Sequence, residues 1–455
     1  MKTEDNNIPV PKHAGTLSII DKQLQLKNRI LETHRKATAV DEFHVPRDGS
    51  LYDAVERISV GGTIWVATGT YRIDKILHIS KPLSIVGVGE ERPLLTSELE
   101  EHYLNVRHDG CFEIKNMTMK SEDPLHGRIL LVGCGKLLIE RNFFIGMFEG
   151  KTDLVNNEKR NWESCALIID GKTSGSIRDN VLSHNINGLV LKGGTEIGII
   201  KNTCEYNMHT GIRYEGTATG VAEGNICRNN NLNGIWVKEN ASPSILKNTC
   251  ESNGGGIQYS AGAIGTAEEN ICRKNIDYGI FVSDNSAPIL QKNICEDNDI
   301  GTLYSDSATG IAEGNVYGKN KRVGIYVREN ASPSILKNTC VGSDYGILYS
   351  KCATGTAESN ICRENKQSGI LVTDNASPSL LGNICEANDK YGIKYFGDAA
   401  GIAEGNICRE NKRVGIFVTA NASPEIENND CKQNKDFGIM VIENASPKLL
   451  NNIEE

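Results

Sequence analysis

Apolar and polar positions recur along this chain with a period of 22 or 23 residues from residue 188 onward. Each unit predicts three short strands between turn residues; from Gly234 they are "GIWVK", "SILK" and "NTCE". Three short strands per turn, with no long helical stretch, favour a parallel β-helix over a leucine-rich repeat. The clearest marker of the period is a glycine, found at Gly188, Gly211, Gly234, Gly256, Gly279, Gly301, Gly324, Gly346, Gly369, Gly392, Gly415 and Gly438.

Two rows of asparagine share this period. Stacked asparagines at a bend hydrogen-bond the neighbours above and below, so we expect two amide ladders, the second interrupted at Ser343. The first row comprises Asn202, Asn225, Asn248, Asn270, Asn293, Asn315, Asn338, Asn360, Asn383, Asn406, Asn429 and Asn452. The second comprises Asn207, Asn230, Asn253, Asn275, Asn298, Asn320, Asn365, Asn388, Asn411 and Asn434.

A row of cysteines lies between the two asparagine rows. We favour buried thiols that act as small hydrophobic side chains over a metal or redox site. Side chains on stacked coils point in parallel, which suits disulfide bridging poorly. The row comprises Cys204, Cys227, Cys250, Cys272, Cys295, Cys340, Cys362, Cys385, Cys408 and Cys431, with Tyr317 as the exception.

Two kinds of coil alternate, so the full period is two coils. One kind places valine three residues after the glycine and isoleucine or leucine eleven residues after it. The other kind places tyrosine and alanine at these positions, so that a large side chain accompanies a small one and the volume of each layer stays level. The tyrosine coils carry the pairs Tyr214 with Ala222, Tyr259 with Ala267, Tyr304 with Ala312, Tyr349 with Ala357 and Tyr395 with Ala403.

The chain before the regular repeat has a different pattern. Residues 1–45 form an N-terminal extension, in which residues 16–36 read as an amphipathic helix that caps the sheet edge or mediates self-association. Residues 46–187 are expected to form irregular coils of the same β-helix, with a short helix capped by Ser50 and a loop insertion near residues 147–163. The regular coils occupy residues 188–455.

Composition and charge narrow the class of function. The chain is 39% hydrophobic, which is too apolar for a disordered protein, and its net charge of −9 argues against nucleic acid or an anionic membrane as the main partner. It shows neither a signal-peptide pattern nor a run of apolar residues long enough to span a membrane. We therefore expect a cytoplasmic protein, with self-association through the N-terminal helix or the open C-terminal coil.

Two stretches resemble a known superfamily. Residues 51–89, "LYDAVERISVGGTIWVATGTYRIDKILHISKPLSIVGVG", resemble the N-terminal segment of pectate-lyase-like right-handed β-helix proteins. The phrases "NASPSILKNTC" and "GTAEENICRKN" are similar to repeats of carbohydrate-binding and sugar-hydrolase (CASH) domains, including NosD-type and F-box-protein repeats. The resemblance implies an all-β, right-handed, single-stranded parallel β-helix. It leaves function open, because such relatives include lyases, epimerases and binding modules.

The row two residues after each glycine is the candidate binding surface. It should face outward between two core-facing residues, yet nine of its twelve residues are apolar or aromatic. A stripe of this length fits a non-catalytic scaffold that binds a glycan or a protein, unless the N-terminal helix, the loop near residue 162 or a second copy covers it. The candidate ligand-binding residues are Trp236, Phe281, Tyr326, Leu371 and Phe417.

The alternative function is a carbohydrate-active enzyme, either a polysaccharide lyase, a hydrolase or an epimerase. A catalytic site must break the repeat, because a reaction needs one asymmetric constellation, so it belongs in the irregular N-terminal half. All nine histidines lie at or before His209, and the candidate catalytic residues are His184, His209 and Asp170. Their spacing matches no metal or triad motif, so we expect neither a metal nor a cofactor.

The volume pairing predicts the outcome of Ala267→Ile. This change places a second large side chain in a tyrosine coil, so overpacking should lower the free energy of unfolding by about 1–3 kcal/mol. Thermal unfolding measures the effect, and a melting temperature equal to that of the parent protein would contradict the pairing.

Overall fold

A computed structural model describes residues 39–123, 128–147 and 164–454. The strands wind into a parallel β-helix, in which equivalent strands of successive coils pair in parallel and form three sheets. In the coil of Gly234 the strands are Asn233–Lys238, Ser244–Leu246 and Thr249–Glu251. The predicted all-β solenoid with three strands per coil is therefore confirmed.

The three sheets run along the whole described solenoid. Strands Leu104–Lys115 and Leu130–Glu140 are long enough to take part in both sheet 1 and sheet 2. Sheet 1 further contains Leu77–Ile79, Cys165–Ile169, Asn187–Leu191, Ile212–Tyr214, Asn233–Lys238, Gly255–Ser260, Tyr278–Val282, Ile300–Tyr304, Val323–Val327, Tyr345–Tyr349, Ser368–Val372, Tyr391–Tyr395, Val414–Val418 and Phe437–Val441. Sheet 2 further contains Val40–Val45, Ile58–Ala67, Leu83–Val88, Ser174–Arg178, Glu196–Ile200, Thr219–Glu223, Ser244–Leu246, Thr266–Glu268, Ile289–Gln291, Ile311–Glu313, Ser334–Leu336, Thr356–Glu358, Ser379–Leu381, Ile402–Glu404, Glu425–Glu427 and Lys448–Leu450. Sheet 3 contains Thr70–Arg72, Leu94–Ser97, Thr118–Ser121, Phe143–Ile145, Val181–Ser183, Thr203–Glu205, Ile226–Arg228, Thr249–Glu251, Ile271–Arg273, Ile294–Glu296, Val316–Gly318, Thr339–Val341, Ile361–Arg363, Ile384–Glu386 and Ile407–Arg409.

The described β-helix begins earlier than the sequence indicated. Its first strand, Val40–Val45, pairs in parallel with Ile58–Ala67, whereas we predicted a start at residue 46. Helix α1 (Leu51–Arg57) follows and packs against these two strands, and the Ser50 hydroxyl accepts the N–H of Asp53 as the predicted N-cap. The predicted helix at residues 16–36 and residues 148–163 of the predicted loop lie outside the described residues.

The first asparagine ladder is continuous and saturates each amide. The Oδ1 atom of Asn248 accepts the backbone N–H of Asn225 at 2.9 Å and its side-chain N–H at 2.8 Å. Its Nδ2 atom donates to Asn270 Oδ1 at 3.0 Å and to the carbonyl of Ala222 at 2.8 Å. All donor and acceptor positions of this fully buried amide are thus used. The ladder also reaches back through Asn180 to Asn142 in the irregular half.

The second ladder is interrupted at Ser343, as predicted. The Ser343 backbone N–H donates to Asn365 Oδ1 at 3.1 Å, but its buried hydroxyl has no hydrogen-bond partner among the described residues. The Asn320 side-chain amide therefore still donates a hydrogen bond to the carbonyl of Cys295, but it finds no amide oxygen in the next coil to accept a second one. One buried rung of an otherwise regular ladder is missing here.

The chain turns sharply before each ladder position. Lys247 and Ser252 precede the ladder residues Asn248 and Asn253, and their φ angles are 53° and 57°, in the left-handed region. Such angles are unfavourable for residues other than glycine. The ladder hydrogen bonds offset this cost, and the same corner recurs in most coils.

The recurring glycine and cysteine face each other inside the solenoid. A Cβ atom added at Gly279 would lie 2.7 Å from the carbonyl oxygen of Gly301 and 2.9 Å from Cys295 Cβ, so stacking excludes any side chain there. All ten cysteines of the row are fully buried and free, as predicted. Hydrogen bonds with the thiols of Cys204 and Cys250, together with burial, raise the pKa of Cys227 well above its ordinary value. These buried, unbridged thiols thus act as packing groups.

The tyrosine coils pack as the volume rule requires. Tyr259 stacks between Val237 and Val282 on sheet 1, while Ala267 stacks between Ile245 and Leu290 on sheet 2, and all are fully buried. In the coil of Gly301, Tyr317 takes the place of the row's cysteine. The same coil carries a second substitution that the sequence pattern did not single out. Thr302 replaces the usual buried isoleucine, and its hydroxyl donates to the Tyr317 hydroxyl at 3.2 Å.

The ladder geometry predicts that Ser343→Asn stabilises the protein. A new amide would accept the free N–H groups of Asn320, and we expect a gain of about 1 kcal/mol in the free energy of unfolding. Ser343→Ala removes the unpaired hydroxyl without adding a rung and serves as the control.

In the unbroken first ladder, Asn270→Ala should lower the free energy of unfolding by at least about 2 kcal/mol, since it leaves buried donors unpaired. Urea unfolding compares the three variants, and a Ser343→Asn midpoint equal to that of Ser343→Ala would contradict the ladder.

Candidate binding face

The five candidate ligand-binding residues lie on one face of sheet 1. The residue two positions after the glycine of each coil pairs directly with the equivalent residue of the next coil. We call this row of outward residues the aromatic column. Four of the five, Trp236, Phe281, Tyr326 and Leu371, are partly exposed. The column comprises Trp236, Gln258, Phe281, Leu303, Tyr326, Leu348, Leu371, Lys394, Phe417 and Met440.

Phe417 differs from the predicted exposure. Only 8% of its surface is accessible, because the ring of Tyr391 stacks on it with 4.7 Å between centroids and 10° between planes. The prediction that all five residues form an open stripe is therefore wrong at this position. Tyr391 presents the aromatic surface here instead.

A second outward row widens the face. It lies on the residue just before the glycine of each coil and includes Tyr278, Tyr345 and Tyr391. Tyr278 contacts the ring of Phe281 at 5.0 Å, and burial raises the pKa of its hydroxyl. The sequence pattern did not place this row outward, because a strict alternation from Phe281 would put Tyr278 on the core side with Ile280 and Val282.

The polar edges of two column residues are held by the next coil. The Trp236 indole N–H donates to Ser260 Oγ at 2.9 Å, and the Tyr326 hydroxyl lies 3.0 Å from Ser350 Oγ. Both serines are nearly buried. The rings are thus oriented by the protein itself, which preserves their flat faces as contact surface.

Cations border the column at two of these rings. Lys238 Nζ lies 5.5 Å from the Trp236 centroid and forms an ion pair with Glu215 at 3.2 Å. The guanidinium of Arg328 lies 5.7 Å from the Tyr326 centroid and pairs with Glu329 at 3.6 Å. Each of these two cations therefore has both an aromatic and a carboxylate partner within the chain.

The two positions that precede Trp236 in the same row, Val190 and Arg213, are buried, and the second is charged. Val190 is fully buried and Arg213 is 2% exposed, so the outward row is closed here. Arg213 Nε lies 2.7 Å from Glu215, which also pairs with Lys192 at 3.5 Å. The ion pairs fix the end of the open face near Trp236.

The three candidate catalytic residues occupy separate environments. Asp170 pairs with Arg107 at 3.8 Å, and His184 stacks on Tyr206 with centroids 5.4 Å apart. His209 Nδ1 lies 3.1 Å from Asn187 Oδ1, and its ring lies 5.9 Å from that of Trp236. Among the described residues, no hydrogen bond or ion pair joins any two of the three.

Two open grooves among the described residues lie away from the aromatic column. The part of the chain that the structure describes contains no group of three or more His, Cys, Asp or Glu side chains suited to a metal. Two open grooves, of about 510 and 450 Å³, lie in the first coils, beside Arg92 and Phe143 and beside Tyr52 and Tyr71. Neither groove includes a residue of the aromatic column. The described coils contain no helix long and apolar enough to cross a membrane.

In the strands from Thr219 onward, outward aromatic residues are confined to sheet 1. In the described strands from Thr219 to Leu450, the outward positions of sheets 2 and 3 carry aliphatic, charged and other polar or small residues and no aromatic ring. The asymmetry distinguishes sheet 1 from two sheets built on the same repeat. The outward rings on sheet 1 are Trp236, Tyr278, Phe281, Tyr326, Tyr345, Tyr391, Phe417 and Phe437.

Comparison with protein families assigns the fold. The model described as "Right handed beta helix region" matches residues 143–263, 187–341 and 323–454, which together exceed half of the chain. The chain belongs to the right-handed β-helix family. This confirms the handedness that the resemblance implied for the β-helix. None of the curated proteins matches this β-helix in sequence.

Solved structures share the fold at low sequence identity. Pre-mature gene product 12 of bacteriophage phi29 is 9% identical, with a TM-score of 0.56, and the match covers 95% of this chain and 76% of that chain. A mutant of the periplasmic alginate epimerase AlgG is 13% identical, with a TM-score of 0.34 and coverages of 91% and 84%. DFA-IIIase from Arthrobacter chlorophenolicus A6, without its lid, is 11% identical, with a TM-score of 0.39 and coverages of 81% and 92%. The TM-score of the phage protein shows a shared fold, and its 9% identity shows nothing about activity.

One partly buried histidine of the β-helix, His102, makes the stability of the protein depend on pH. Burial, together with the charge of Arg128, lowers the pKa of His102 to about 4. The unfolded chain binds this proton at about pH 6.5, so the stability contribution is complete above that pH and is lost as the pH falls towards 4.

Replacement of His102 should weaken this pH dependence. Between pH 7.5 and pH 5 the histidine accounts for a loss of about 2 kcal/mol in the free energy of unfolding, which His102→Gln should abolish. His78→Gln removes an exposed histidine and is the control. Urea unfolding at both pH values tests this, and equal pH dependence in the parent and His102→Gln would contradict it.

Proposed function

We propose that this protein is a non-catalytic β-helix scaffold that binds an extended glycan along the aromatic column. The observation that carries the proposal is the confinement of outward aromatic residues to sheet 1. Three sheets share one repeat and one core, so folding alone gives no reason for rings on a single face. Ligand binding supplies one.

The dimensions of the face suit a long ligand. Trp236 and Phe417 are eight coils apart, which corresponds to about 38 Å at a spacing of about 4.8 Å per coil. The aromatic members of the column recur mainly at every second coil, about 9.6 Å apart. An elongated chain can contact several rings at once, whereas a small molecule would favour an enclosed pocket.

The chemistry of the face favours a glycan over a protein segment. Trp236 and Tyr326 use their polar edges within the protein and present flat faces, which suits stacking on sugar rings. The unpaired edge strands that would receive an added peptide strand are absent along the described middle of sheet 1, because each strand there pairs on both sides. A protein partner remains the alternative ligand class.

The enzyme alternative draws on a different observation. Ionisable groups gather in the N-terminal half, where Asp170 pairs with Arg107 and where Lys192, Arg213 and Glu215 form a network. Ion pairs with a purely structural role would produce the same clustering of charges. His184 and His209 contact different residues, Tyr206 and Asn187. A binding role is therefore the better-supported proposal.

Binding should depend on the partly exposed rings. We expect the triple variant Trp236→Ser, Phe281→Ser and Tyr326→Ser to weaken glycan binding at least about hundredfold, since each ring lost is worth about 1 kcal/mol or more. The matched control replaces three outward isoleucines of sheet 3, Ile271, Ile294 and Ile361, with serine. A glycan array followed by calorimetry with the best binder gives the affinities.

Three results would count against this function. Equal glycan affinity in the triple variant and the control would remove the column from binding. Binding of a protein partner, together with no binding of any glycan, would favour a protein as the ligand of this face. Turnover of a polysaccharide that His184→Ala or His209→Ala abolishes would establish an enzyme.

A further inference from the structure

A lysine interrupts the aromatic column near its C-terminal end. Register places Lys394 between Leu371 and Phe417, where most other coils carry an apolar or aromatic residue. Its coil is also unusual in having Phe396 two residues further on, a position held by serine, threonine or a cation in most coils. The regular pattern is thus broken twice at neighbouring outward positions.

Aromatic rings surround the ammonium group of Lys394. Its Nζ lies 5.0 Å from the Phe396 centroid, 5.6 Å from that of Tyr391 and 5.9 Å from that of Phe417. Phe396 is 47% exposed, so the cluster opens to solvent on one side. Cation–π attraction holds the ammonium in place and leaves its hydrogen-bond donors to be satisfied from outside.

Lys394 differs from the other cations of the column in lacking an anionic partner. Lys238 and Arg328 each pair with a carboxylate of the chain. Lys394 forms no ion pair or hydrogen bond with any residue that the structure describes. The nearby Arg413 is paired with Asp436 at 3.4 Å, and Lys390 adds a second positive charge.

The cost of this arrangement is visible in the lysine itself. Burial, with the charge of Lys390, lowers the pKa of Lys394, and the negative charge of Glu443 opposes the shift without reversing it. A half-buried ammonium without an ion-paired carboxylate is unfavourable, and folding would be better served by leucine or phenylalanine at this position. An anion delivered by a ligand would relieve the cost.

We propose that Lys394 binds an acidic substituent, a carboxylate or a sulfate, of the glycan that lies along the aromatic column. This inference rests on the proposed function and specifies its ligand class. The ammonium supplies charge-assisted hydrogen bonds to the acidic oxygens, and the exposed ring of Phe396 supplies an apolar contact for the sugar beside them. Acidic glycans are therefore bound more tightly than neutral glycans of the same backbone.

Matched pairs of polymers test the acidic group. Oligogalacturonate and its methyl ester differ in the carboxylate, while dextran sulfate and dextran differ in the sulfate. Polyglutamate offers carboxylates without sugar. Calorimetry on the full chain at two salt concentrations gives the affinity and its salt dependence for each probe.

Three variants assign the effect to Lys394. Lys394→Met keeps the apolar stem and removes the charge, and we expect at least tenfold weaker binding of the acidic probe with a smaller salt dependence. Lys394→Arg should restore most of the affinity. Lys292→Met makes the same change at the corner that follows the sheet 2 strand Ile289–Gln291, where the lysine pairs with Glu268 at 3.0 Å, and should leave affinity unchanged.

The outcomes separate this inference from the proposed function. A preference for the acidic member of either pair that Lys394→Met removes supports the inference, and the pair concerned identifies carboxylate or sulfate. Equal binding of acidic and neutral glycans, lost in the serine triple variant but not in Lys394→Met, overturns the acidic subsite and keeps the glycan scaffold. Binding of polyglutamate alone, or of no probe at millimolar concentration, overturns both.

Discussion

Parallel hydrogen bonding between stacked coils is the constraint on which this structure depends. Every coil must present its backbone, and its asparagine amides, at the spacing that the next coil requires. A fully buried amide such as Asn248 is tolerated because all four of its hydrogen-bonding positions are used. The ladders thereby fix the corners, and the corners fix the direction of all three sheets.

This constraint limits what can change inside the solenoid. Gly279 has no space for a side chain against the neighbouring coil, and the cysteine row fills the remaining volume with small neutral thiols. Substitutions inside occur in compensating sets, as where Tyr317 and Thr302 replace cysteine and isoleucine and hydrogen-bond each other. The interior therefore carries information about packing and none about a ligand.

The outer surface is free of this constraint, so departures from the repeat are informative there. Rings appear on sheet 1 and on neither of the other two regular sheets, although all three share the same stacking. Within that face, Lys394 departs from the pattern again by lacking the carboxylate partner that Lys238 and Arg328 have. A surface that combines flat rings with one uncompensated cation is suited to a ligand with both apolar faces and negative charge.

The sequence by itself determined the coil length, the three strands, the ladders and the buried thiols, because stacking forces each of these features to recur at a fixed spacing. It also placed Trp236, Phe281, Tyr326 and Leu371 on one outward row. Only the tertiary structure decided what covers each outward side chain: Tyr391 shields Phe417, an ion-pair network closes the row at Arg213, and no carboxylate of the described residues forms an ion pair with Lys394. Those contacts join residues on different coils whose side chains vary without a period, so spacing along the chain carries no record of them.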